Sequence, residues 1–308
     1  MNSAVCTLFE GHYHFGLGAL ANSLYAHGFR GTIYAGYRGT LPPWAGKSKM
    51  QDSYTDFSPA EGLTLRFIPL ATKIHLTNYK PDFMLQVWNE HCPDAEALFY
   101  FDPDITVKCR WSFYEEWIPK GLAMVEEIAT HGMPYNHPIR LRWLSIAKEL
   151  GIPCQANFSQ YFNGGFLGVH QNCKHFLNIW SSIMAAMPRY GINLSLWMPA
   201  DRTHPFCGTD QDAMNILAMA AEPHLSTIGP EGMDFIPGGF TMSHAVGSPK
   251  PWKKNYLLSG LHGIKPSLAD KGFWNKASTP IRLYSDHVVL LHQKTMKLAS
   301  LIGRFYSQ

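Results

Sequence analysis

The order of apolar runs and polar, glycine-rich segments along the chain predicts an α/β fold of the Rossmann-like kind. Apolar runs of strand length occur at 4–9, 32–37, 63–70, 98–107, 122–125 and 166–169. Segments of helical pattern are predicted at 15–27, 81–91, 111–117, 140–150, 172–187 and from 208 onward. Strands that alternate with helices are typical of a mostly parallel central sheet flanked by helices. Residues 38–60 and 229–279 are rich in glycine and proline, and we expect them to be irregular.

The apolar run at residues 98–107 contains two acidic residues, in the sequence Asp102-Pro103-Asp104. Ligands of open α/β sheets bind beyond the carboxyl ends of the strands. Pro103 favours an extended conformation at Asp102, and side chains two positions apart in an extended chain leave the same face. We therefore expect Asp102 and Asp104 to form a two-carboxylate site for Mg²⁺ or Mn²⁺. Two solvated acids in a turn are the alternative.

Composition and charge exclude several classes of function. The chain is 46% hydrophobic and 16% charged, as globular proteins are, and its formal net charge of +3 is scattered, which argues against binding to nucleic acid. Six widely spaced cysteines without a Cys-x-x-Cys pair argue against disulfides and structural zinc. Gly16-Leu17-Gly18 lacks the third glycine of a dinucleotide fingerprint. No leader-like or membrane-spanning run is evident, so we expect a cytoplasmic protein.

A second candidate metal-binding segment lies within the irregular region, in the sequence His244-Ala245-Val246-Gly247-Ser248-Pro249-Lys250-Pro251-Trp252. A neutral imidazole can complete a site that two carboxylates begin, and it favours Mn²⁺ over Ca²⁺. Gly247 lets backbone N–H groups approach phosphate oxygens, and Lys250 adds a positive charge near them. This string predicts a site for a cation and a phosphate group.

Four blocks of the sequence together resemble glycosyltransferase family 8, the retaining GT-A enzymes that include bacterial lipopolysaccharide galactosyl- and glucosyltransferases and glycogenin. In the family's order, the blocks are Asp102-Pro103-Asp104, Tyr161-Phe162-Asn163-Gly164-Gly165, Asp210-Gln211-Asp212 and His244-x-x-Gly247-x-x-Lys250-Pro251-Trp252. The first block departs from the usual Asp-Ala-Asp by its proline, and Glu10-Gly11-His12-Tyr13 replaces an Asp-rich run in the first loop. The resemblance implies a GT-A domain over residues 1–255 and a C-terminal extension over 256–308.

The resemblance also implies roles for the residues that would hold the cation and the phosphates. Asp102, Asp104 and His244 would hold Mn²⁺ or Mg²⁺, which grips the diphosphate of a nucleotide-sugar donor. Gly247 and Lys250 would contact that diphosphate directly.

Further residues would contact the donor's sugar, ribose and base. Asn163 and Gly164 would line the sugar. Asp210 would bind sugar hydroxyls, and Gln211 would lie under the anomeric carbon, so both are catalytic candidates. The family also has a basic donor contact ahead of the central strand, which corresponds to Lys80 here. The loop after the first strand would hold the donor's uracil and ribose, with Leu8, Phe9, Glu10 and Tyr13 as candidates.

The predicted activity is that of a retaining, metal-dependent hexosyltransferase. It would move a hexose from a nucleotide diphosphate sugar, UDP-glucose or UDP-galactose, to a hydroxyl of a carbohydrate, a lipid-linked molecule or another acceptor. Gln211 is an amide and a poor nucleophile, so we expect front-face attack in place of a covalent glycosyl-enzyme. A non-catalytic nucleotide-sugar-binding protein and a nucleotidyltransferase are the alternatives.

Residues 292–306 have an amphipathic helical pattern at the C-terminal end. Leu298, Leu301, Ile302 and Phe305 recur at helical spacing among basic residues. We expect this helix to pack onto the domain. The alternative is contact with an anionic membrane surface, which would make the protein peripheral at the inner face of the membrane.

Overall fold

The computed structural model describes residues 1–46, 48–128, 132–155 and 157–305. Its strands, numbered along the chain, are β1 Ser3–Glu10, β2 Gly31–Arg38, β3 Lys49–Met50, β4 Thr55–Ala60, β5 Leu63–Pro69, β6 Ala97–Phe101, β7 Ile105–Val107, β8 Leu122–Val125, β9 Phe166–His170, β10 Leu225–Ile228 and β11 Met242–His244. The helices are α1 His14–Ala26, α2 Lys80–Gln86, α3 Trp111–Trp117, α4 Pro138–Glu149, α5 His175–Ala186, α6 Thr209–Ala220, α7 Tyr256–Leu261, α8 Leu268–Asn275 and α9 Asp286–Phe305. The predicted α/β class is confirmed.

Contacts divide the chain into two compact units, each made of three segments. The first unit consists of Met1–Leu8, Pro69–Phe101 and Ser112–Pro230. The second unit consists of Phe9–Ile68, Asp102–Trp111 and Glu231–Gln308. The boundary at residue 255 that the sequence suggested stays a prediction.

The first unit contains a mixed sheet with the strand order β10-β8-β9-β6-β1. β6 is parallel to β1 and β10 is parallel to β8, whereas β9 runs antiparallel to both β6 and β8. All five residues of β6 are buried, which explains its continuous apolar and aromatic sequence. Helix α5 packs on α2 and α6, and α4 packs on α6.

The second unit contains the strand order β2-β5-β4-β3 and a separate two-stranded ribbon of β7 and β11. Helix α1 packs on β7, and α8 packs on both strands of the ribbon. A buried apolar cluster joins α1, α7, α8 and α9 through Ala19, Tyr256, Phe273, Trp274, Ala277, Val289, Met296 and Ala299. The C-terminal segment is therefore part of the core of this unit.

Two segments differ from the sequence prediction because tertiary contacts give them regular structure. Residues 38–60 contain β3 and β4, and β4 pairs antiparallel with β5. Residues 229–279 contain β11, α7 and α8. The start of α8 could have been predicted from the sequence, because Ser267 and Asp270 form a capping box.

Helix α9 covers most of the predicted C-terminal helix and packs on α7 and α8, but it does not bury the stripe of leucines. The buried residues are Val289, Met296, Ala299 and Gly303. Leu298 and Leu301 are 48% and 52% exposed. Periodicity identifies an apolar stripe but does not tell which stripe a neighbouring helix covers. Among the described residues, no helix combines the length and the apolar character needed to cross a membrane.

Candidate functional site

The second unit brings together the three predicted metal ligands. The His244 Nε2 atom lies 3.3 Å from Asp104 Oδ1 and 3.8 Å from Asp102 Oδ2. One potential ligand atom from each residue lies within 4.8 Å of the others. Asp104 and His244 are buried, and the Asp102 side chain is 23% exposed. We call these three residues and Lys250 the cation cluster.

The ribbon of β7 and β11 positions two members of this cluster. His244 lies opposite Ile105, the residue after Asp104, in the antiparallel register. The Ala245 N–H donates to the Asp104 carbonyl oxygen at 3.1 Å. Because this ladder continues beyond the strands, it fixes the backbone of one acid against that of the histidine.

The two acids converge through a turn, which corrects the expected extended geometry. Pro103 and Asp104 lie in a turn between β6 and β7, and the Ile105 N–H donates to the Asp102 carbonyl oxygen at 3.1 Å. Proline suits this position because it has no N–H to leave unsatisfied and its φ is compatible with a turn. The predicted pairing of the carboxylates is nevertheless present.

Lys250 supplies the positive charge of the cation cluster. Its Nζ atom lies 2.5 Å from Asp104 Oδ2 and donates to the Ala245 carbonyl oxygen at 2.8 Å, although 146 positions separate the lysine from the acid. Burial alone would raise the pKa of Asp104, but the charges of His244 and Lys250 outweigh it and lower that pKa. Burial opposes the charge of Lys250 as well, yet Asp104 raises its pKa overall. The acid is therefore held as a carboxylate.

The cation cluster fits a small divalent cation. Its ligand set of two carboxylates and one imidazole suits Mn²⁺ and Mg²⁺. Neighbouring ligand atoms in an octahedral site are about 3 Å apart and opposite ones about 4 Å, given ligand distances of ~2.1 Å. The separations of 3.3 and 3.8 Å fall in this range. Asp104 directs Oδ1 toward His244 and Oδ2 toward Lys250, so binding a cation does not require loss of the lysine contact.

Gly16 supports the turn between the two acids, a role that the sequence did not reveal. A Cβ atom at this position would lie 2.4 Å from the Pro103 carbonyl oxygen and 2.9 Å from the Trp252 ring. Only glycine therefore lets α1 approach the turn so closely. The sequence feature that could have indicated this role is a glycine inside a predicted helix, since such glycines often allow close packing.

Tyr13 lies beside Lys250 of the cation cluster and contacts Trp252. Trp252 donates from its indole nitrogen to His12 Nδ1 at 2.9 Å, and its ring contacts that of Tyr13. The Lys250 Nζ atom lies 5.7 Å from the centre of the Tyr13 ring. Gly247 has a φ of +77°, and its position for a Cβ is open. The predicted residues Tyr13, Gly247 and Lys250 thus belong to one region of the second unit.

The remaining first-loop candidates have structural contacts of their own. The side chains of Leu8 and Phe9 are 4% and 2% exposed, so any contact with a ligand would be through their backbone. Glu10 pairs with Arg38 at 2.9 Å. Their predicted role in binding the donor's base and ribose stays a prediction.

The first unit contains a second cluster, built around a buried ion pair. Lys80 Nζ lies 2.8 Å from Asp210 Oδ2 and donates to the Gly164 carbonyl oxygen at 2.8 Å. The Gly164 N–H in turn donates to Gln211 Oε1 at 2.8 Å. Asn163 donates to Glu127 through a short hydrogen bond. The four predicted residues Lys80, Gly164, Asp210 and Gln211 are therefore connected, and we call them, with Asn163, the second cluster.

Buried polar contacts hold the second cluster in place. The Trp180 indole donates to the Asp210 carbonyl oxygen, and Asn215 exchanges hydrogen bonds with the backbone of Phe162. Tyr161 donates to Asp212 Oδ1 at 2.8 Å. Burial raises the pKa of Asp212 to about 7. Asp212 had no assigned role in the sequence analysis, because its position in a first helical turn is equally typical of capping.

Comparison with known proteins does not identify a family for this chain. No family model matches it, and no curated protein is significantly similar to it. The resemblance to glycosyltransferase family 8 therefore depends on the four sequence blocks alone.

Proposed function

We propose that this protein is a retaining, metal-dependent glycosyltransferase with a GT-A fold, which moves a hexose from UDP-glucose or UDP-galactose to an acceptor hydroxyl. The observation that carries the proposal is the cation cluster. A pair of carboxylates, an imidazole and a lysine that are distant in sequence meet within a few ångströms. This ligand set matches what a cation-bound diphosphate requires.

The charge of the cation cluster favours a diphosphate. Its two carboxylates and one ammonium group together carry a charge of −1, which a bound divalent cation would change to +1. Asp102, Asp104 and His244 would hold Mn²⁺ or Mg²⁺, which when bound supplies Lewis-acid neutralisation of the leaving diphosphate. Lys250 adds a fixed positive charge on the same leaving group. Such a site stabilises charge that develops as the sugar–phosphate bond breaks.

The second cluster supports a front-face reaction without a covalent intermediate. In this proposal Asp210 binds sugar hydroxyls and Gln211 lies under the anomeric carbon. Lys80 neutralises Asp210, and the Gln211 amide oxygen already accepts a hydrogen bond from Gly164, so neither is a strong nucleophile. The acceptor oxygen bonds to the anomeric carbon, the bond to the diphosphate oxygen breaks with its electron pair, and a phosphate oxygen accepts the acceptor's proton. A covalent sugar trapped on Asp210 or Gln211 would refute this step.

Donor hydrolysis tests the proposal without knowledge of the acceptor. The protein is incubated with UDP-glucose or UDP-galactose and Mn²⁺, and release of UDP is measured. We expect Asp104→Asn and His244→Asn to reduce the rate roughly a hundredfold or more, since metal-assisted charge stabilisation contributes several kcal/mol. Asp286→Asn, at a side chain 67% exposed on α9, is the control and keeps the rate.

The alternatives give other results in the same experiment. Mn²⁺-dependent binding of the donor without any UDP release would indicate a non-catalytic nucleotide-sugar-binding protein. Release of pyrophosphate from UTP and a sugar phosphate would indicate a nucleotidyltransferase. Either result would refute the glycosyltransferase proposal.

We also propose that a cytoplasmic, peripheral contact with an anionic membrane brings the protein to a lipid-linked acceptor. Exposed leucines on two adjacent helices support it, at Leu257, Leu258 and Leu261 on α7 and Leu290, Leu291, Leu298 and Leu301 on α9. Lys294, Lys297 and Arg304 on α9 are exposed as well. An apolar surface bordered by basic side chains is typical of helices that lie on anionic bilayers.

Vesicle sedimentation tests this contact. We expect binding to phosphatidylglycerol vesicles, weaker binding to phosphatidylcholine vesicles, and loss of binding in the double variant Leu298→Ser and Leu301→Ser. Leu141→Ser, at a residue 51% exposed on α4, is the matched control. Equal binding by the double variant and the wild type would contradict the contact, whether or not the glycosyltransferase proposal holds.

A further inference from the structure

A cleft of about 330 Å³ in the second unit lies beside the ribbon of β7 and β11 and uses none of the cation ligands. Thr106 and Ser243 are paired across the ribbon and both line the cleft. The next pair is Ile105 and His244. Because successive side chains of a strand point to opposite faces, the cleft and His244 belong to opposite faces of the ribbon.

The cleft carries an excess of positive charge. Lys108, Lys271 and Lys276 line it together with one acid, Asp234. Lys108 Nζ lies 2.6 Å from Asp234 Oδ1, so these two charges offset each other. Within the described part of the chain, Lys271 and Lys276 have no carboxylate partner. Burial lowers the pKa of Lys276, as expected for an ammonium group without a counter-charge.

A buried hydroxyl without a partner lies in the same cleft. Thr106 is 5% exposed, and its Oγ1 atom has no hydrogen-bond partner among the described residues. Buried hydroxyls are nearly always hydrogen-bonded, so this one calls for a partner from outside the described residues. A Cβ at Gly272 would lie 2.6 Å from this oxygen, so a side chain at position 272 would clash with the hydroxyl.

We propose that this cleft binds a small phosphorylated molecule, with its phosphate group between Lys271, Lys276 and the Thr106 hydroxyl. Two ammonium groups and a hydroxyl are donors suited to phosphate oxygens. The cleft is larger than a phosphate ion, and Val107 and Leu268 give it apolar walls for the rest of the molecule. Binding at this site does not depend on the reaction of a nucleotide-sugar donor, so its test is separate from that of the proposed transferase activity.

Calorimetric titration with glucose 6-phosphate tests the site, in EDTA so that cation binding does not contribute. We expect saturable binding, with no binding of glucose and weaker binding of inorganic phosphate. Thr106→Val, Lys271→Met and Lys276→Met each weaken binding about tenfold or more, as loss of a hydrogen bond to a charged group predicts. Lys271 is exposed, so of the three variants Lys271→Met is the one least expected to disturb folding.

Two controls separate the site from non-specific or cation-cluster binding. Lys49→Met removes an exposed lysine on β3 and leaves the affinity unchanged. Asp104→Asn alters the cation cluster and also leaves it unchanged. Absence of saturable binding, or an equal loss in Lys49→Met and Lys271→Met, would overturn the proposal. Loss in Asp104→Asn alone would assign the binding to the cation cluster and overturn it as well.

Discussion

The buried acid Asp212 makes the stability of the first unit depend on pH in a direction opposite to that of most acids. Burial raises its pKa from the usual 3.8 to about 7, and the charge of Asp210 adds to the increase. Hydrogen bonds from Tyr161 and from the Gly208 N–H act against it. Between pH 3.8 and about 7 the folded state retains a proton that the unfolded state has lost. The free energy of unfolding therefore falls as pH rises through this window, and the effect is complete above it.

The magnitude follows from the difference between the two pKa values. At 1.36 kcal/mol per pKa unit, a change from 3.8 to about 7 corresponds to roughly 4 kcal/mol. Asp212→Asn removes this titration and leaves a neutral side chain of the same shape. One of the two donors, Tyr161 or Gly208, then faces the amide nitrogen, which adds a cost of about 1–3 kcal/mol that does not vary with pH.

Urea unfolding of the wild type and Asp212→Asn, followed by tryptophan fluorescence from pH 4 to 8, measures the effect. We expect the wild type to lose roughly 4 kcal/mol relative to the variant between pH 4 and 7 and to lose no more above that range. Tyr161→Phe removes a donor to the carboxylate, so its loss extends to higher pH. A difference between wild type and Asp212→Asn that stays constant over this range would refute the reasoning.

Further predictions concern packing, the buried ion pair and the cation. Gly16→Ala brings a Cβ to 2.4 Å from a backbone oxygen of the turn between the acids, so we expect it to lower the free energy of unfolding by about 1–3 kcal/mol, as measured by thermal unfolding. Gly18→Ala is the control, because its Cβ meets only the end of a leucine side chain at 2.4 Å. Lys80→Met removes the ammonium group that pairs with the buried Asp210 and lowers the free energy of unfolding by about 3–5 kcal/mol. Adding Asp210→Asn restores part of this loss, and additive losses would contradict the prediction. Mn²⁺ at a hundred times its Kd raises the free energy of unfolding by about 2.7 kcal/mol, EDTA reverses the gain, and Asp104→Asn abolishes it.

Local patterns were sufficient for much of the fold and for the identity of the site residues. Apolar runs gave the buried strands because a strand covered on both faces needs a continuous apolar sequence, as in β6. The acid pair and the segment around His244 could be recognised because hard cations require oxygen and imidazole ligands. In contrast, β4 depends on pairing with β5, and such a strand has little signal of its own.

The sequence by itself determined the α/β class, the buried strands such as β6 and the chemical types available for a cation site, but not the elements within residues 38–60 and 229–279. Only the tertiary structure decided which groups meet. The β7–β11 ladder brings His244 to Asp104, the absence of a side chain at Gly16 allows α1 against the acid turn, and burial gives Asp212 its raised pKa. Distances between residues far apart in the chain and the local dielectric are properties of the packed molecule, and no local pattern of residues specifies them.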